Sequence, residues 1–226
     1  MIAVAQARPS DRAEFIKKTY MHLAGAVGAF IVVEYIFFTL GIAEWLGRFV
    51  VGSSFGWLAM LGGFMLLGSL ASNFASKAGD VNAQYTGLGI YVIGEAVMFA
   101  PILWIASSYA PGAIESAAIV TLFLFAGLTA IVFTTKQDFT FLGGALKIFG
   151  LIAMGLIVCS LIFRLPMLGV WFSFVMVAFA GASILYQTSQ VMKRYPADYY
   201  VAASLALFSS VMLLFWYVLR IFMSRR

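Results

Sequence analysis

Apolar residues dominate this chain, and they come in long runs separated by short polar breaks. Seven runs are long enough to cross a bilayer as a helix rising about 1.5 Å per residue. They are Tyr20 to Ile42, Phe55 to Asn73, Tyr85 to Ala106, Ala113 to Thr134, Phe141 to Phe163, Pro166 to Thr188 and Tyr199 to Phe222. The last run carries no charge before Arg220, and Tyr199 to Leu219 alone spans roughly 31 Å as a helix. The in–out alternation of a transmembrane β-barrel is absent. The pattern therefore predicts an all-α polytopic membrane protein, a bundle of seven transmembrane helices. The breaks are turn-formers: Pro111-Gly112 before the fourth span, Arg164-Leu165-Pro166 between the fifth and sixth, and Pro196 before the seventh. The domain reading is a cytoplasmic polar tail over 1–18, the transmembrane domain over 19–222, and a short basic C-terminal tail over 223–226.

Composition sharpens the class. Hydrophobic residues make up 63% of the chain and charged residues 10%, against about 45–50% and about 25% in soluble domains. A single cysteine, Cys159, excludes an intramolecular disulfide. The net charge of +5 is read as topology and headgroup contact and not as nucleic-acid binding. Nine basic residues flank the spans on the N-terminal side, from Arg8 to Arg194, and five on the other, from Arg48 to Arg226. That bias predicts a cytoplasmic N-terminus and, with seven spans, an outside C-terminus. Trp45, Trp57, Trp104, Trp171 and Trp216 fall near the outer ends of the spans, as an interfacial belt requires, while Arg225-Arg226 runs against the bias. The polar first 18 residues are no cleavable signal.

Candidate chemistry rests on polar groups at membrane depth. Glu95 lies near the centre of the third span and Glu34 in the first, slightly outward of its centre. A charged carboxylate at mid-bilayer costs at least about 2.5 kcal/mol, so each must face a cavity, find a partner or be protonated. Either a proton- or cation-responsive site or a structural tie between helices satisfies that demand. Pro101, six residues after Glu95, is expected to bend the third span and free a carbonyl. Ser209 and Ser210 sit at the midpoint of the last span. His22, the only histidine, is read as interfacial, and Glu115 as a helix-start acid. No His, Cys and acid cluster has metal-ligand spacing, and no nucleophile–base pair stands out, so no enzymatic activity, metal or cofactor is expected.

Two segments carry a resemblance. Thr134 to Leu146 reads TTKQDFTFLGGAL, and Ser183 to Val191 reads SILYQTSQV, followed by the last span. Together they resemble the Bax inhibitor-1 family, the transmembrane Bax-inhibitor-motif proteins, whose bacterial members include the YccA-like proteins. The resemblance covers essentially all seven spans. It implies a bundle whose last helix is central, with six helices wrapped around it in two groups of three. It also implies a pH-sensitive calcium leak or its regulation, a role tied to stress response, closed by an aspartate pair on the sixth and seventh helices. Those family positions fall on Gln187 and Ser210 here, and neither side chain ionises.

Sequence spacing places Gln187 and Ser210 at similar depth on either side of a turn at Pro196–Asp198, where a hydrogen bond between them is worth about 0.6–2 kcal/mol. The lost acids argue against carrying over gating by that pair. The expected function is then a cation (calcium) leak channel or modulator of leak in the bilayer of a bacterial inner (plasma) membrane, with Glu95 or Glu34 carrying any response to protons. The alternative is a non-conducting regulator that binds membrane proteins such as the FtsH protease, a partner the YccA-like relatives imply.

Overall fold

The computed structural model describes residues 4–6, 8–53, 55–77, 79–135, 137–163, 169–196 and 198–224. Lys136, the Arg164-Leu165-Pro166 join and the basic pair Arg225-Arg226 lie outside the described residues. The described residues hold seven long apolar helices: α1 (Pro9–Thr39), α3 (Gly56–Ala75), α4 (Val81–Tyr109), α5 (Ala113–Thr135), α6 (Leu142–Phe163), α7 (Val170–Lys193) and α8 (Tyr200–Met223). They match the seven predicted spans in order. An eighth helix, α2 (Ile42–Gly52), was not expected. Gly41, held at φ 74° in the left-handed region that glycine tolerates, turns the chain between α1 and α2. At 11 residues, with Glu44 and Arg48 paired on its surface, α2 is too short and too polar to read as a span.

α8 is the centre of the bundle. Of its most apolar window 61% is buried, against 6% for α6. α1, α4, α5 and α7 pack directly along it and α3 touches it. Small residues permit the closest approaches. Gly87 of α4 lies against the Ala71 carbonyl and Ala75 of α3, with no room for a Cβ, and Gly47 of α2 receives the Trp104 ring. α6 is the exception. Among the described residues its backbone approaches only α7 and α3, and side chains alone, Ala153 with Met176 and Tyr217, reach across toward α8. Cys159 is exposed on this helix.

Residues 9–18, assigned from sequence to the polar tail, form the first turns of α1, begun by Pro9, whose missing N–H costs nothing there. Asp11 and Glu14 pair with Arg8 and Lys18 on the surface of these turns, contacts worth little in stability. Phe15 turns inward and is 2% exposed. Val4 is fully buried, and its N–H donates to the Tyr195 carbonyl at 3.0 Å. Burial in this same corner pushes the Tyr195 hydroxyl up to about 12.

Candidate functional site

The two segments that carry the family resemblance dock on one another on the N-terminal side of the bundle. The Phe139 N–H donates to Ser189 Oγ at 3.2 Å, and Arg194 Nη2 donates to Thr140 Oγ1 at 2.9 Å. Lys193 pairs with Asp138 at 3.5 Å. The Tyr186 ring covers Gly143 so closely that a Cβ there would clash, and the Tyr186 hydroxyl accepts from Gln190 Nε2 at 2.7 Å. Asp138 Oδ1 caps its own turn by accepting the Thr140 N–H at 2.9 Å. Hydrogen bonds from Thr140, followed by the nearby Lys193, hold the Asp138 carboxyl below its ordinary range. These contacts fasten the α5–α6 loop to the end of α7.

The expected Gln187–Ser210 hydrogen bond is not formed. Ser210 Oγ faces Ser183 Oγ at 3.3 Å and donates to the Ala206 carbonyl at 3.1 Å. The reason is register. α7 ends at Lys193 and α8 begins at Tyr200, so Ser183 and Ser210 each lie ten residues from their end of the hairpin, and Gln187 lies six. Placing the turn around Pro196–Asp198 set the match one turn too late on α7.

Glu95 stands where α4 faces α8 and is 5% exposed. Tyr91, one turn earlier, has its hydroxyl within reach of the Glu95 carboxyl and hydrogen bonds to Ser209 Oγ at 2.8 Å. Glu95, Tyr91 and Ser209 together line a cavity of about 750 Å³ between α3, α4, α6 and α8. Its other end, opposite the N-terminal side, reaches Arg220 and Ser160, with Trp57 and Trp216 in edge-to-face contact at 5.8 Å in the wall. The cavity occupies the space where α6 stands away from α8. Glu95 thus meets two of the conditions set for an acid at this depth: it faces a cavity and has a hydroxyl within reach.

Glu34 does not join that cavity. It is 6% exposed on α1, and neither carboxyl oxygen has a hydrogen-bond partner among the described residues. α4 continues as helix through Pro101. His22 is more embedded in contacts than an interfacial residue need be. Its Nδ1 lies 2.7 Å from the Lys18 carbonyl and its Nε2 2.6 Å from the Tyr85 hydroxyl, so Nδ1 carries the proton and, in the neutral ring, Tyr85 donates to Nε2. The ring also sits 5.0 Å from that of Tyr200, tying α1 to α4 and α8. Among the described residues no three His, Cys, Asp or Glu side chains gather as a metal site.

Sequence reasoning missed Tyr91, Ser183 and Arg220. Tyr91 is recoverable from its i, i+4 spacing to Glu95. Ser183 needed the true end of α7. Arg220 was counted only as a topology charge.

A family model described as inhibitor of apoptosis-promoting Bax1 matches residues 12–226. An uncharacterized protein of Pseudomonas aeruginosa is 36% identical over 109 residues, which is 48% of this chain and 49% of that protein. The match thus spans about half the length of that relative. An uncharacterized protein of Pasteurella multocida is 29% identical over 200 residues, 87% of this chain and 83% of the relative. One from Neisseria meningitidis serogroup A is 29% identical over 154 residues, 67% of each chain.

Proposed function

We propose that this chain, which belongs to the Bax inhibitor-1 family, sustains or modulates a cation leak across a bacterial plasma membrane, with Glu95 as its ionisable residue. The observation that carries the reading is the placement of a buried carboxyl in the wall of a cavity of about 750 Å³ beside the central helix. A carboxylate with hydroxyl neighbours attracts protons and hard cations such as calcium. The hydroxyls of Tyr91 and Ser209 supply neutral oxygens beside it. Gating in this reading does not use an acid pair on α7 and α8, since Gln187 and Ser210 do not ionise. No catalytic step and no cofactor belong to it. The N-terminal end faces the cytoplasm in this reading, following the charge bias.

Calcium and proton flux into liposomes holding the purified protein tests it. A rate above that of empty liposomes, lowered by Glu95→Gln, is expected. A protein no leakier than empty liposomes at every pH tried overturns it.

A second reading is favoured by one observation, the neutral Ser183–Ser210 contact at the level where an acid on α8 would sit. It makes the chain a non-conducting regulator that binds membrane proteins such as the FtsH protease. Crosslinked co-purification that recovers no membrane protease counts against it.

A further inference from the structure

We propose that the cavity between α3, α4, α6 and α8 binds a free fatty acid, with the carboxylate at Arg220 and the chain lying along α8 toward Ser209. Among the lining residues only one end of the cavity holds a basic side chain. Arg220 and Ser160 line one end, and Glu95, Tyr91 and Ser209 the other. Between them the wall is apolar, with Leu61, Phe64, Met98, Met154, Ile157 and Leu213 among its residues. An anionic headgroup is attracted to the guanidinium, so the basic end of the cavity orients the ligand.

The shape agrees with a single chain. Arg220 and Ser209 are eleven residues apart on α8, about 16 Å along the axis. The slot is therefore long, and its volume of about 750 Å³ suits one acyl chain better than a two-chain phospholipid. Access follows from the packing. α3 and α6 flank the cavity and barely approach each other, so the route into it runs from the lipid phase. A ligand already dissolved in the bilayer needs no aqueous path. The binding does not depend on whether the cavity conducts.

Trp57 and Trp216 in the wall report occupancy. The test titrates 9,10-dibromostearic acid into the full chain in nanodiscs and follows tryptophan fluorescence. Saturable quenching that unlabelled stearic acid reverses is expected. Arg220→Gln should weaken binding on the order of tenfold, as loss of a charge-assisted contact does, while Arg220→Lys, which keeps the charge but not the planar fork, should weaken it less. If Arg220→Gln does not fold, the dibromostearate methyl ester makes the same charge test on the parent protein and should bind on the order of tenfold more weakly. The double substitution Met154→Phe/Ile157→Phe, which fills the cavity, should abolish the saturable phase. Quenching that rises in proportion to ligand in the bilayer, equally for acid and ester, overturns the proposal. So does saturation by a brominated lysophosphatidylglycerol where the free acid gives none.

Discussion

The hydroxyls of Ser183 and Ser210 face each other at 3.3 Å, joining α7 to the central helix at equal distance from their shared turn. Hydrogen bonds between membrane helices average about 0.6 kcal/mol and reach about 1.7 kcal/mol in double-mutant cycles. A cycle of Ser183→Ala and Ser210→Ala should return a coupling in that range. The same cycle with Gln187→Ala in place of Ser183→Ala should return none. Unfolding free energies in bicelles supply the measurement, and the opposite ranking would restore the pairing expected from sequence.

Tyr91 joins α4 to α8 through Ser209 at 2.8 Å beside Glu95. Tyr91→Phe should cost on the order of 1 kcal/mol in stability, because Ser209 loses a half-buried partner. If Glu95 carries the leak, Tyr91→Phe also changes the flux rate, while Ser209→Ala changes it less because Tyr91 keeps its contact with the acid. Parallel stability and liposome flux assays separate the two effects.

Asp138 gives a pH dependence whose sign follows from its surroundings. Its carboxyl is held below the ordinary value of 3.8, first by Thr140 and then by Lys193. A group lowered on folding adds stability above its unfolded value, and that stability disappears as pH falls through the lower folded value. Asp138→Asn should therefore trail the parent by a constant margin above about pH 5, with the margin closing below 3.8. Melting curves across pH 3 to 7 would show it; a margin that changes near neutral pH would assign the effect to another group.

Two glycines on one helix should behave oppositely. A Cβ on Gly87 would sit 2.6 Å from the Ala71 carbonyl oxygen, whereas one on Gly89 meets nothing within 4 Å. Gly87→Ala should cost about 1–3 kcal/mol as α3 and α4 are forced apart. Gly89→Ala should be neutral or stabilising by up to about 1 kcal/mol, the helix-propensity difference. Thermal unfolding of both variants is the comparison.

How much of this was legible beforehand depended on how local each signal was. The seven spans needed only unbroken apolar length, and the observed helices depart from the predicted limits mainly by added polar turns at their ends, as at Pro9 to Thr19 of α1. α2 escaped because its apolar face, Ala43, Leu46 and Val50, is shorter than a span, and Ala43 and Leu46 are buried against α4. Glu95 announced itself because an acid at that depth demands an explanation. The α7–α8 register did not, because it hinges on α7 stopping at Lys193, three residues before Pro196. Arg220 looked like a boundary charge because sequence does not reveal that α6 leaves a space beside it.

α6 is fastened along one edge. Among the described residues its backbone leans on α7 and grazes α3, and beyond these it reaches α8 through side chains alone, as at Ala153 and Tyr217. A helix so held has the fewest cooperative neighbours, so it should be the first to detach when the protein is pulled or dissolved, leaving the other helices assembled. Mechanically the bundle is a closed barrel of staves with one stave hinged, and α7 is the hinge post.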